Sequence, residues 1–190
     1  MAFRLVFLLS MLLALPAGAA ELEGVRLEDR VRVDGQEVQL NGIALRKRYA
    51  FVKIYVAGLY LPAKATSVAV ALGARGAKRI HLTMVREAGA EQFVESILAG
   101  MRANHSEAQL AAVKQQTDEL MGMIRAIGTA KVGTSIVLDY APSHDGTTLI
   151  VDGKAAGKPM AGEEFFRTLM RIWLGDNPVQ EDLKKALLGG

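Results

Sequence analysis

The chain has 190 residues, a formal net charge of +3 and no cysteine. This length suits one domain, and the near balance of 23 basic and 20 acidic residues argues against a nucleic-acid partner. The lack of cysteine excludes a disulfide, a thiol nucleophile and a thiolate metal site.

The first twenty residues, "MAFRLVFLLSMLLALPAGAA", combine one cation, Arg4, with an apolar run over residues 5–15 and a small-residue end. That arrangement is typical of a cleaved secretory signal. The apolar run is shorter than the roughly 20 residues that a membrane-spanning helix needs, which disfavours an uncleaved anchor. We therefore expect a signal peptide at residues 1–20, one domain at residues 21–190 without a membrane span, and a periplasmic or secreted location.

The residues that follow carry strand and hairpin signals. Asp34-Gly35 lies between alternating apolar residues, which predicts a two-residue hairpin turn. A long strand is expected from about Phe51 to Leu61, and Pro62 ends it because its ring removes a ladder donor.

Alternation along this strand predicts two faces. Val52 and Ile54 fall on one face, and Lys53 and Tyr55 fall on the other. Lys53 either adds positive potential to a site at Tyr55 or extends to the sheet edge, as long cationic side chains often do. We favour the second interpretation.

The rest of the chain alternates between helical and strand patterns. In chain order we expect a short helix (64–74), a strand (78–86), a helix (93–101), a second helix capped by Ser106 and Gln109 (106–128), a hairpin with turns at Asp145-Gly146 and Asp152-Gly153, and two last helices (162–173 and 178–188). Strands and helices in this order argue for an α+β domain on a mainly antiparallel sheet.

Metal and catalytic motifs are weak. His81, His105 and His144 lack paired ligand spacing, so neither a metal site nor a cofactor is expected. Ser143 to Asp145 contain the three residue types of a hydrolytic triad, but consecutive residues in a turn cannot form its relay.

Three segments carry a family resemblance: "FVKIYVAGLYLP", "TMVREAGAEQFVESI" and "IWLGDNPVQEDLKKALLG". They resemble the chalcone isomerase superfamily, the last one its exported bacterial branch. The resemblance implies an open-faced β-sandwich, in which a large antiparallel sheet packs against a layer of helices with a ligand cleft between them.

The enzymes of that superfamily stabilise charge on a ketone with an arginine, a threonine, a tyrosine and a lysine. The resemblance places Phe93 at the tyrosine position, Ser96 at the lysine position and Tyr55 at the threonine position. Phe93 cannot donate a hydrogen bond, and Ser96 lacks the reach and charge of lysine. Chalcone cyclisation is therefore not expected, and whether any catalysis survives stays open.

The fatty-acid-binding branch of the superfamily pairs its arginine with a tyrosine. This chain is similar, with Arg46 and Tyr55 as candidate ligand-binding residues and Arg48 as the alternative arginine. A guanidinium offers a planar fork to a carboxylate, and a tyrosine hydroxyl adds a third donor.

Three functions follow from these observations. The first is an exported, non-catalytic protein that binds a fatty acid or other amphipathic carboxylate. The second is an isomerase, an intramolecular lyase, that acts on an enone or chalcone-like substrate and uses Arg46 and Tyr55 to stabilise an enolate. The third is a partner-binding module with a collapsed cleft and an exposed Trp173, although Trp173 is better placed in the core. The sequence does not indicate the ligand or the oligomeric state.

Overall fold

The computed structural model of the protein describes residues 18–49 and 51–190. Those residues form ten strands: β1 Ala19–Leu22, β2 Val25–Glu28, β3 Arg30–Val33, β4 Gln36–Arg48, β5 Val52–Leu61, β6 Lys78–Met84, β7 Ser135–Ala141, β8 Gly146–Val151, β9 Lys154–Ala155 and β10 Met160–Ala161. They also form six α-helices: α1 Val68–Gly73, α2 Ala90–Asn104, α3 Glu107–Ala112, α4 Lys114–Ile127, α5 Glu163–Leu174 and α6 Glu181–Leu187. No helix in these described ranges is long and apolar enough to cross a membrane.

The predicted signal peptide at residues 1–20 lies outside the described residues except for its last three. Two of those, Ala19 and Ala20, belong to β1, which pairs with β2 in a two-stranded hairpin. The turn of this hairpin, Glu23-Gly24, has positive φ at both residues. The hairpin is an element that the sequence patterns do not predict.

Eight strands form one antiparallel sheet in the order β10-β8-β7-β6-β5-β4-β3, with β9 paired to β8. Helices α2, α4 and α5 bury their apolar sides against one face, in the large core of the protein. On the other face, the β1–β2 hairpin helps to cover a smaller cluster that includes Leu27, Val56 and Tyr60. The structure therefore confirms the predicted open-faced β-sandwich with a layer of helices.

Several local signals produce the expected structure. Asp34 and Gly35 join β3 to β4 with φ values of 53° and 72°, as a hairpin turn of this kind requires. Ser106 and Gln109 form a reciprocal capping box at the start of α3. Gly128 ends α4 with a φ of 77°. Turn and capping residues act locally, which explains why the sequence reveals them.

Three helices differ from the prediction, and the first of them, expected over residues 64–74, begins only at Val68, after its cap Ser67. The helix expected over residues 106–128 is broken at Val113, which has φ −114° and ψ 18° and is buried in the core. The last helix, expected to begin at Pro178 after an Asn177 cap, begins instead at Glu181. Asn177 bonds to the end of α2, so residues 177–180 form a connecting segment rather than a first helical turn.

A β-bulge at Asn41 attaches the C-terminal helix to the sheet. The register of β4 against β5 shifts between Leu40 and Gly42, and Asn41 is the extra residue. Its buried amide donates to the carbonyls of Ala65 at 2.9 Å and Leu187 at 2.7 Å, and its oxygen accepts from the Ala65 N–H at 2.7 Å. One side chain therefore satisfies three backbone groups from two distant segments.

Gly42 permits the close approach of α6 that this bulge requires. A Cβ at Gly42 would lie 2.1 Å from the carbonyl oxygen of Ala186. No side chain can occupy that space without moving backbone, so a glycine is needed where β4 passes beneath the end of α6.

We expect Asn41→Ala to lower the free energy of unfolding by about 3 kcal/mol, because buried backbone groups lose their partners. Urea denaturation followed by circular dichroism measures this. Gln115→Ala is the control, since the Gln115 side chain bonds, within the described part of the chain, only to exposed Glu119, and we expect a change within about 0.5 kcal/mol. Equal decreases in the free energy of unfolding for Asn41→Ala and Gln115→Ala would contradict this role of Asn41.

Candidate functional site: a cavity between the sheet and the helices

A cavity of about 590 Å³ lies between the β4–β5 end of the sheet and the helices α2 and α5, and residues 177–179 close one side of it. Small-molecule sites in proteins usually measure roughly 300–1,000 Å³. Arg46, Tyr55 and Arg48, the residues predicted to bind a ligand, all line this cavity. The cleft is therefore open, which contradicts the alternative of a collapsed cleft.

A second β-bulge decides which side chains of β5 reach the cavity. The register of β4 against β5 shifts beside the Arg46–Tyr55 pair, where Ile54 is the extra residue. Ile54 and Tyr55 consequently both line the cavity. Lys53 instead pairs with Glu23 of the β1–β2 turn at 2.6 Å. The prediction that Lys53 shares a face with Tyr55 is wrong for this reason, although Lys53 does stay out of the site as expected.

Tyr55 and Trp173 form a buried hydrogen bond at the cavity wall. Nε1 of Trp173 donates to the Tyr55 hydroxyl at 2.9 Å, and the two side chains are only 4% and 8% exposed. Burial raises the pKa of Tyr55, and the Trp173 hydrogen bond and the charge of Arg46 oppose this only in part. Tyr55 therefore stays protonated at neutral pH. Because its oxygen accepts from Trp173, its own O–H can donate to a ligand.

Arg46 lies directly opposite Tyr55 in the sheet and is half-buried. Its Nη1 donates to the side-chain oxygen of Gln180 at 3.2 Å and to the carbonyl of Lys47. Both partners are neutral. In the part of the chain that the structure describes, Arg46 has no carboxylate within ion-pair distance. The positive charge of Arg46 therefore faces the cavity uncompensated.

Gln180 and Asn177 hold the segment between α5 and α6 against the cavity. The oxygen of Gln180 accepts from the Lys47 N–H at 2.7 Å, and its amide donates to the carbonyl of Leu45 at 3.2 Å. Asn177 exchanges hydrogen bonds with Asn104 near the end of α2, at 2.8 and 2.9 Å. This segment therefore connects the sheet to the helical layer.

The rim of the cavity is basic. Arg48 is exposed and lies over the ring of Tyr49, 5.1 Å from its centroid, and Arg86 lines the rim from the residues after β6. Glu87 is the acidic residue beside Arg86 in the lining. The sequence patterns do not identify Arg86. Its place in the lining follows from the pairing of Tyr55 with Met84, which brings the residues after β6 beside the site and which no local pattern reveals.

Phe93 and Ser96, the positions where the resemblance places the tyrosine and the lysine of the superfamily's enzymes, also line the cavity from α2. The Phe93 ring cannot donate a hydrogen bond. The Ser96 hydroxyl donates to the carbonyl of Gln92 at 2.9 Å, one turn earlier in the same helix. Neither side chain presents a free donor where the superfamily's enzymes have a tyrosine and a lysine.

The histidines lie elsewhere. His81 is bonded to Ser135 at 2.9 Å, and burial lowers its pKa to about 4. Ser143 donates to Asp34, and His144 contacts Ser143 rather than a carboxylate, which is not the order of a catalytic triad. Among the described residues, no three His, Cys, Asp or Glu side chains are grouped to hold a metal ion.

Comparison with known proteins agrees with this architecture. A family model described as chalcone isomerase-like matches residues 19–189. Among solved structures, a fatty-acid binding protein of Arabidopsis thaliana aligns with a TM-score of 0.68 and 13% sequence identity, over 90% of this chain and 96% of that one. At that identity the likeness shows the fold. A search of curated proteins found no match.

Because Tyr55 stays protonated in the folded state while tyrosines of the unfolded chain ionise near pH 10, the unfolded state binds fewer protons at high pH and stability falls. We expect Tyr55→Phe to reduce this fall between about pH 9 and pH 11. Urea denaturation at several pH values, followed by circular dichroism, measures the slope.

Trp173→Phe is the matched control, because it removes the same hydrogen bond but keeps the Tyr55 phenol. Trp173→Phe should lower the free energy of unfolding, but this free energy should still decrease with pH between about pH 9 and pH 11, as in the wild type. An unchanged slope in Tyr55→Phe would contradict the buried, protonated state of Tyr55.

Proposed function

The chain belongs to the chalcone isomerase-like family, and from this membership and the cavity we propose that it is an exported, non-catalytic protein that binds a fatty acid or other amphipathic carboxylate. The observation that carries the proposal is the pairing of Arg46 with Tyr55 at the wall of an open cavity. The similar fold of a plant fatty-acid binding protein supports it.

Arg46 and Tyr55 supply the groups that a carboxylate needs. Arg46 has guanidinium N–H groups beyond the Nη1 that binds Gln180, and Tyr55 has a free O–H. Hydrogen bonds to a charged group contribute about 1.5–3 kcal/mol each. A carboxylate at this point would also neutralise a half-buried charge whose present partners are neutral, which favours an anionic ligand over a neutral one.

Much of the remaining wall suits an acyl chain. Apolar side chains from β5, α2, α5 and the segment before α6 line the interior: Val52, Ile54, Phe93, Ile97, Ile172 and Val179. Each methylene removed from water contributes roughly 0.8 kcal/mol. Tail length should therefore govern affinity, while Arg46 governs orientation.

We expect Arg46→Ala to weaken palmitate binding by about 10- to 100-fold, the loss of one charged hydrogen-bonding group. The chain contains one tryptophan, Trp173, at the cavity wall, so its fluorescence reports binding. Arg102→Ala is the control, because Arg102 is exposed on α2 and is not a lining residue, and it should bind as the wild type does.

Affinity should also rise by about fourfold for each added methylene until the cavity is filled. The proposal fails if the purified chain carries no acid by mass spectrometry and added palmitate changes neither the fluorescence nor the melting temperature. Equal effects of Arg46→Ala and Arg102→Ala would remove Arg46 from the site.

The alternative function, an isomerase acting on an enone, relies on the same two donors. Phe93 and Ser96 weigh against it, because neither presents a free donor for charge that develops on a ketone, and the amide of Gln92 is the one neutral donor left among the described α2 residues of the lining. We expect no turnover across a panel of chalcones and simpler enones above the uncatalysed rate. Turnover that disappears in Arg46→Ala would favour the isomerase instead.

A further inference from the structure

Large apolar side chains are strongly exposed at four described positions: Tyr49 at 71%, Phe51 at 79%, Val132 at 68% and Val70 at 56%. Single exposed apolar residues are ordinary, but a group of them marks an interaction surface. Three of the four lie at the same end of the sheet. Val70 lies on α1, which follows the opposite end of β5.

Strand pairing brings Tyr49, Phe51 and Val132 to that end. Tyr49 and Phe51 lie between β4 and β5, where the two strands turn. Val132 precedes β7, and the Gly133 N–H bonds to the carbonyl of Met84, the last residue of β6, at 2.7 Å. Since Met84 pairs with Tyr55 of β5, the two loops leave the sheet on the same side. We call residues 47–49, 51, 86–87 and 131–132 the basic end.

The charges around these apolar groups are mainly positive. Lys47, Arg48, Arg86 and Lys131 belong to the basic end, and Glu87 is its one acidic residue. In the described parts of the chain, none of the four cations has a carboxylate within ion-pair distance. Exposed aromatic groups among unpaired cations match the surface of an anionic bilayer, where aromatic rings occupy the headgroup region and cations meet acidic lipids.

We propose that the basic end docks on the surface of an anionic lipid bilayer. Arg48 and Tyr49 both line the cavity, so docking in this way would place the cavity rim against the membrane. An amphipathic acid could then pass between bilayer and cavity without crossing water. That transfer rests on the proposed function, whereas the docking rests on exposure and charge alone.

Vesicle flotation without added ligand tests the docking. Mass spectrometry determines the N-terminus of each purified variant, so that only variants with the same state of the predicted signal peptide are compared. We expect the chain to float with vesicles of phosphatidylcholine and phosphatidylglycerol in roughly equal parts, and to bind phosphatidylcholine vesicles at least tenfold more weakly. Salt at ~1 M should release it, because charges are then screened within about 3 Å.

The decisive variant is Phe51→Ser with Val132→Ser, since neither residue lines the cavity. It should weaken vesicle binding about tenfold or more, because two apolar groups no longer enter the interface. Val70→Ser, the control at the opposite end, should bind as the wild type does. Circular dichroism confirms that each variant is folded.

Palmitate binding in solution keeps the two proposals separate. The double variant should retain wild-type palmitate affinity while it loses vesicle binding. Vesicle binding that is absent in the wild type, indifferent to phosphatidylglycerol, or unchanged in the double variant overturns the docking proposal and leaves the cavity proposal intact. If Val70→Ser loses as much vesicle binding as the double variant does, the docking proposal is also overturned, because the docking surface would then not be the basic end.

Discussion

The antiparallel pairing of β4 with β5 is the constraint on which the rest of the structure depends. This pair carries two bulges, at Asn41 on β4 and at Ile54 on β5. A bulge redirects side chains and locally interrupts the ladder. The bulge at Asn41 directs the buried Asn41 amide toward the C-terminal helix α6. The bulge at Ile54 brings the Ile54 side chain to the same side of the sheet as Tyr55. One strand pair therefore positions both the end of the chain and the wall of the cavity.

The open cavity in turn depends on polar contacts at its margins. An unfilled apolar space forfeits dispersion contacts, so something must prevent the layers from closing. Gly100 of α2 lies so close to Ile172 of α5 that a Cβ would be 2.7 Å from a methyl carbon, so a glycine is needed where these two helices pack together beside the cavity. Asn177 and Gln180 then fix the connecting segment to α2 and to β4. These hydrogen bonds hold the margins of the cavity in place and so preserve its volume.

Short-range features were predictable from residue patterns, whereas long-range ones, such as the layered fold and the pairing of Arg46 with Tyr55, were expected only where the family resemblance implied them. The Asp34-Gly35 turn and the Ser106 capping box need only neighbouring residues, and both form as expected. The bulge at Ile54 depends on the partner strand, so alternation alone misplaced Lys53. The late start of α6 has the same cause, because Asn177 finds its partner 73 residues away in Asn104. The hydrogen bond from Trp173 to Tyr55 likewise spans 118 residues.

The arrangement of donors suits the binding of a carboxylate, which is charged before it binds, better than the stabilisation of charge that develops during a reaction. Catalysis on an enone requires donors aimed at the place where negative charge develops during the reaction. Here Arg46 and Tyr55 converge from adjacent strands on one point, and the α2 wall opposite them offers Phe93 and an internally bonded Ser96. For charge that forms away from the Arg46–Tyr55 point, the described part of that wall offers only the neutral amide of Gln92, at the exposed start of α2. A carboxylate carries its charge at one end before it binds, so a single group of donors beside an apolar wall is sufficient for it.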